Sequence, residues 1–184
     1  GVSLGQIREE IAQAELRGDT IPKSMTKADY AEYRFESALA EEDDFDMLVM
    51  GRTQGKGCYC YVNGVLKTLL DKYIGAYRYV VIDNEAGMEH IARGTLPHVD
   101  ALLLVSDCSR RGVQAVARIA EMVRELDLKP GLMKLIINRA PGGVLSDGVR
   151  EEIEAHHLEL AGVLPQDDAV YEADCDGKPS SKIP

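Results

Sequence analysis

The chain has 184 residues and a mass of 20.2 kDa, which suits one domain and is long enough to bury about 70% of its unfolded surface without disulfide or metal staples. Apolar residues make up 45% and charged residues 28%, so a wholly disordered or fibrous chain is excluded. Twenty-one basic against thirty-one acidic residues give a net charge of −10, and residues 1–50, with twelve acids and five basic residues, carry −7 of it; that balance repels a phosphate backbone, so no nucleic-acid partner is expected.

In chain order, the first forty residues read as two helices. Ser3 and Gln6 have capping-box spacing, Leu4, Ile7 and Ile11 line one face, and Gly18 is a stop signal. Thr26 can cap a second helix that turns Tyr30, Tyr33 and Leu39 inward. The run Glu41–Asp44 reads as a solvated loop before a strand, with an acidic metal or protein site as the less favoured reading.

From Phe45 the pattern changes to apolar runs at Phe45–Met50, Tyr79–Ile82, Ala101–Val105, Leu132–Ile137 and Leu160–Leu164. Their continuity suits parallel strands buried on both faces. Helical periods separate them at Asn63–Ile74, Val113–Leu126 and Leu145–His156, and such alternation specifies an α/β fold with a mostly parallel sheet flanked by helices. One domain over 1–184 is expected, with a helical lead-in at 1–44 and an α/β core at 45–184. The longest apolar run, Ala101–Val105, has five residues, against roughly twenty for a membrane span. With no basic-then-apolar start either, no membrane association and a cytoplasmic location are expected.

In parallel sheets the ligand crevice lies beyond the carboxyl ends of the strands. Those ends carry the segment Gly51–Cys60, Asp83–Gly87, Ser106–Ser109, Asn138-Arg139 and Pro165–Asp168. Gly51-x-x-x-Gly55-Lys56-Gly57 is one residue short of a phosphate loop and lacks its hydroxyl, so it reads as a flexible lead into the cysteines. Asp83 at a strand end with Gly87 four residues on has the shape of a magnesium-ordering carboxylate and a γ-phosphate switch. An aspartate-capped strand-to-helix turn accounts for that spacing equally well. Asn138-Arg139 and Pro165–Asp167 sit where a base could be gripped, although asparagine is common in such turns.

Cys58-Tyr59-Cys60 is the sharpest local signal. Two thiolates can share one soft cation but fill only two of four positions, so a symmetry-related chain would supply the rest. Two buried cysteines or a strained disulfide are the alternatives. Adjacent His156 and His157 do not face one side of a helix and read as solvated. Glu89-His90 could act in catalysis or in signal transfer, whereas Met88 and His98 read as packing residues.

The stretch Gly55-Lys-Gly-Cys-Tyr-Cys-Tyr-Val-Asn63, followed by Val80-Val-Ile-Asp-Asn-Glu-Ala-Gly-Met-Glu-His90, closely resembles the CooC-type nickel-maturation ATPases of carbon monoxide dehydrogenase. These belong to the MinD-like branch of P-loop ATPases, with the nitrogenase iron protein as a relative. The similarity continues through Asp100–Ser109, Ile136–Arg139 and Gly162–Asp167.

The resemblance implies a MinD-like P-loop NTPase fold binding ATP or ADP with Mg2+. Asp83 matches the Walker B aspartate and Gly87 the switch II glycine. Asn138, followed by Arg139, matches an adenine-contacting asparagine, and Pro165 and Asp167 match the loop that flanks the base. Cys58 and Cys60 match a pair that binds Ni2+ or Zn2+ across an ATP-dependent homodimer serving the carbon monoxide dehydrogenase catalytic subunit. Cys108 departs from the family's usual proline and sets a further thiol on the nucleotide rim.

The family's leading β-α-β unit with its phosphate loop, about fifty residues by the usual lengths of such a unit, does not occur in this sequence. By family the chain is an ATP hydrolase, but this polypeptide alone is expected to be inactive and to bind nucleotide weakly. Its end, Lys178–Pro184, also reads as cut short. Two alternatives from other classes stand beside this reading: a metal-dependent dimerisation module without ATPase activity, and a positioning ATPase, which has no need of the Cys58–Cys60 pair.

Overall fold

The computed structural model describes residues 2–17, 22, 24–51, 72, 75–84, 99–179 and 183. Two compact units are formed, Gly1–Ile82 and Asp83–Pro184.

In the first unit, helix α1 spans Leu4–Arg17 and α2 spans Lys27–Glu36. Both are opened by reciprocal side-chain caps. Ser3 N–H donates to Gln6 Oε1 at 2.9 Å while Gln6 N–H donates back to Ser3 Oγ at 3.3 Å. Thr26 and Asp29 repeat the exchange at 3.1 and 3.2 Å, which satisfies amide groups that have no partner within the helix. Leu4, Ile7 and Ile11 of α1 are buried in one cluster with Ala31, Phe35 and Ala38. Each large side chain so buried contributes roughly 1.5–3 kcal/mol.

Tyr33 departs from expectation and is 56% exposed. Ala31 and Phe35 stand one turn apart on the buried stripe of α2, so Tyr33, two residues from each, falls off it. Tyr30 and Leu39 are half-buried.

The expected buried strand at Phe45–Met50 is also corrected. Only β2, Asp46–Met47, is strand, paired antiparallel with β1, Ala40–Glu41. Glu42 N–H donates to Phe45 O at 3.0 Å, so the acidic run forms the exposed turn of this short hairpin. Phe45, Met47 and Val49 stay exposed, while Leu48 and Met50 pack against the helical core. The carbonyls of Val49 and Met50 accept from Leu4 and Gly5 at 3.0 and 2.8 Å, capping α1. Residues 79–82 form no strand either; Val81 is 92% exposed, with no ladder partner among the described residues. The helix expected at 63–74 falls outside the described residues except at Lys72, as does the stop at Gly18.

The second unit alternates strand and helix. Its strands are β3 (Ala101–Asp107), β4 (Leu132–Ala140) and β5 (Leu160–Pro165). The helices are α3 (Arg110–Glu125), α4 (Asp147–Ala155) and α5 (Asp168–Cys175), with a 3-10 turn at Pro141–Gly143. The sheet is parallel in the order β3-β4-β5.

Leu104, Leu135 and Ile137 meet Val113, Val116 and Ala120 of α3 and Val149 and Ile153 of α4 in one core. This fulfils the 3.6-residue apolar period of α3. Burial on both faces of the strands is not found: Leu103 and Val105 of β3 are 53% and 57% exposed. The same-face core of α3 and α4 takes alternate residues only, so β3 reads out with period two in accessibility although its sequence is continuously apolar.

Candidate functional site

The parallel order brings three carboxyl ends to one rim. Asp107 closes β3 in register with Asn138 of β4, and Ala140 of β4 pairs with Pro165 of β5.

At the end of β3 the chain turns sharply into α3. Asp107 Oδ1 accepts from Ser109 N–H at 2.9 Å and from Ser109 Oγ at 2.6 Å. Ser109 Oγ then caps α3 by accepting from Gly112 N–H at 3.0 Å. The Ser109 hydroxyl, with its backbone amide, holds the Asp107 carboxyl below the usual carboxylate range. Cys108 is half-buried beside this turn, and its thiol donates to Arg139 O at 3.6 Å, joining the end of β3 to that of β4. The further thiol expected on the rim is there.

At the end of β4, Asn138 Oδ1 accepts from Arg139 N–H at 2.9 Å. Arg139 adopts a left-handed backbone, φ 59°, which asparagine-led turns favour by bonding their own backbone. The ladder slips between Ile137 and Ala140, a bulge of the kind that re-aims side chains at sheet ends. Gln166 N–H returns to Ala140 O at 2.9 Å. Asp167 caps α5 by accepting from Ala169 and Val170 at 2.9 and 3.1 Å.

Asn138, Arg139, Pro165 and Asp167 thus share one rim with Asp107 and Cys108. Asp83 is exposed and has no hydrogen bond or ion pair among the described residues, so it is not brought into this group. Gly87, Cys58 and Cys60 lie outside the described residues. Among those described, no cluster of three or more His, Cys, Asp or Glu could hold a metal ion. Cys108 and Cys175 are free thiols, and no described helix is long and apolar enough to cross a membrane.

One feature beside the rim escaped the sequence reading. Glu152 of α4 is buried, with its side chain 8% exposed. Its Oε2 accepts from Arg110 Nε and Nη2 at 3.0 and 2.7 Å, and its Oε1 accepts from Gln114 Nε2 at 2.9 Å. His156 Nε2 stands 3.2 Å from the same Oε1. His156 is therefore half-buried on this cluster and not solvated. The Gln114 amide and the Arg110 guanidinium hold the Glu152 carboxyl below its ordinary range. An acid at 152 between apolar Val149 and Ile153 was the available signal: one helical face cannot bury all three unless the acid is paired.

No family model matches the chain. An uncharacterised ATP-binding protein of Methanocaldococcus jannaschii is 37% identical over 184 residues, 99% of this chain and 71% of that protein. The carbon monoxide dehydrogenase accessory protein CooC of Rhodospirillum rubrum is 32% identical over 144 residues, 76% of this chain, which spans only 52% of that protein's length. A ParA family ATPase from Chlorobium tepidum superposes with a TM-score of 0.62 at 18% identity, covering 97% of this chain and 66% of that one, which bears on the fold alone. The chain belongs to the family of that Methanocaldococcus jannaschii ATP-binding protein, and its fold is that of the MinD- and ParA-like ATPases.

Proposed function

We propose that this chain contributes the adenine-binding rim of an ATPase that handles nickel for carbon monoxide dehydrogenase. The observation that carries the nucleotide part is the register that sets Asn138-Arg139 beside Pro165–Asp167 at adjacent carboxyl ends. Asn138 offers a side-chain amide, and the turn after β5 offers a backbone edge, the chemistry that reads a base. These residues fit the adenine end of a nucleotide. Mg2+, coordinated with Asp83 acting on its water shell, would neutralise the phosphates when bound. Gly87 would let a backbone amide approach the γ-phosphate.

Nickel is the cargo in this reading. The CooC relative supports it, together with the Cys58-Tyr59-Cys60 pattern, whose thiolates suit Ni2+ or Zn2+ and would be shared by two copies of the chain. Nucleotide-driven closure of that homodimer would hold or release the metal toward the dehydrogenase subunit.

The test is competition of ADP and GDP for a fluorescent adenine nucleotide. ADP should compete at least about tenfold better than GDP, and Asn138→Ala should erase the difference, since leaving a base edge unpaired costs about that much. Equal competition by both nucleotides would remove the base-reading role of the rim.

A further inference from the structure

A cavity of about 290 Å³ opens at the end of the sheet opposite the rim, where β4 begins. It is framed by the way two helices stop. Past α3, Asp127 takes a left-handed backbone, φ 53°, and Leu128 N–H returns to Val123 O at 3.0 Å. Past α4, His157 does the same at φ 51°, and Leu158 N–H returns to Ile153 O at 3.1 Å. Such closures satisfy helix-end carbonyls and turn the chain sharply toward the next strand. The two connections that follow, with the first residues of β4, wall the cavity.

Its floor is apolar: Leu104, Leu135 and Leu158 are all buried. Its mouth is charged, lined by Arg124, Lys134, His157 and Glu159. Lys134 is paired with Glu159. The side chains of Arg124 and His157 have no hydrogen bond or ion pair among the described residues. A backbone edge is open as well. β5 first pairs with β4 at Leu160, opposite Leu135, so Met133, which lines the cavity, has no strand on that side.

Apolar floor, uncompensated guanidinium and open main-chain edge together select a class of ligand. A neutral apolar molecule would leave the guanidinium unused, and a bare anion would leave the floor wet. An acid with an apolar body uses both, since a guanidinium matches a carboxylate with two parallel donors. Size agrees: a dry cavity of roughly 150 Å³ takes a benzene ring, so this one has room for a ring and a short acid tail.

We propose that this cavity binds a small amphipathic carboxylate, with Arg124 receiving the acid group and Leu104, Leu135 and Leu158 the apolar body. Five residues of β4 separate Met133 from Asn138, about 17 Å of strand, so the site is separate from the rim and does not rest on the nucleotide reading. The competing account is that Arg124, in the last turn of α3, only complements the negative end of the helix dipole.

Titration of the full chain with 3-phenylpropionate, 3-phenylpropan-1-ol and acetate, followed by amide NMR shifts, separates the two. 3-Phenylpropionate should bind with a Kd below about 1 mM, ordinary for a ligand of its size, and shift the amides of Met133 and Leu158. The alcohol, which lacks the charge, and acetate, which lacks the body, should each bind at least about tenfold more weakly. Arg124→Gln should weaken the acid about tenfold, the scale of a charge-assisted bond, and leave the alcohol unchanged. Leu132→Trp, a change at a lining residue that is 45% exposed, should block the acid by filling the space.

No saturable shift with 3-phenylpropionate, or shifts confined to other parts of the chain, would overturn the site. Equal binding of acid and alcohol, or an Arg124→Gln variant that binds the acid as the parent does, would overturn the role of Arg124 and leave it to the helix dipole. Acetate binding as tightly as 3-phenylpropionate would reduce the cavity to a surface charge and overturn the proposal equally.

Discussion

A Cβ atom on Gly112 would lie 2.2 Å from Asp107 Oδ1 and 2.6 Å from Ser106 Oγ. Side-chain oxygens from the end of β3 thus occupy the space that a larger residue in the first turn of α3 would need. Gly112→Ala should force the Asp107–Ser109 turn apart and destabilise the chain by about 1–3 kcal/mol, the usual range for overpacking. Urea denaturation measures this. A neutral or stabilising result would mean that the turn yields freely and that Asp107 is not fixed.

Two carboxylates should make stability pH-dependent, with a defined sign. Asp107 and Glu152 are held below their ordinary range, Asp107 first by the Ser109 hydroxyl and Glu152 first by the Gln114 amide. A depressed folded value means that the stabilisation is complete above the ordinary carboxylate range and disappears as pH falls through the folded value. Glu152→Gln should flatten the acid limb of a stability–pH curve measured by denaturant, and Ser109→Ala should flatten it less. An acid limb unchanged in both variants would assign acid unfolding to other groups.

Leu135 sits at the centre of the three-stranded core with no measurable exposure. Leu135→Ala should lower stability by about 2–5 kcal/mol, transfer and cavity effects together. Leu103→Ala, on the open face of the same sheet, should cost less than 1 kcal/mol, roughly the value of a surface change. Comparable losses at the two positions would indicate that the Leu103 face is covered in solution.

The metal reading predicts a stoichiometry. If Cys58 and Cys60 of two chains make one four-sulfur site, Ni2+ or Zn2+ should bind at one ion per two chains, and Cys58→Ala or Cys60→Ala should abolish metal and dimer together. Elemental analysis coupled to light scattering reads both quantities. One ion per monomeric chain, or metal retained by the double variant, would move attention to Cys108 and Cys175.

The sequence was most informative where local chemistry and tertiary packing agree. The caps at Ser3 and Thr26, the period of α3 and the parallel strands at 101, 132 and 160 follow from spacing that the fold then uses directly. An apolar run by itself does not establish burial. Phe45–Met50 is apolar, but its carbonyls serve α1 and its hairpin is set by the acidic turn, so alternate side chains remain in water. Strand formation at 79–82 needs ladder partners, which composition does not supply. At the rim, the positions of Asn138 and Pro165 at the ends of apolar runs were enough to place them at adjacent strand ends. Glu152 on an apolar helix face signals a paired acid, but its partners Arg110 and Gln114 lie about forty residues away and are joined to it only by the packing of α3 on α4.

The five-residue apolar run of β3 exposes Leu103 and Val105 yet is bracketed by exposed Asp100 and, one residue beyond Ser106, by Asp107. Such a run, β-prone and uncharged within itself, is the type of segment that seeds intermolecular strand stacking, and flanking charges are what keep it apart from its copies. Asp107 therefore carries a second duty besides shaping the turn: as a gatekeeper of colloidal behaviour, it couples the geometry of the rim to the tendency of the whole chain to stay dispersed.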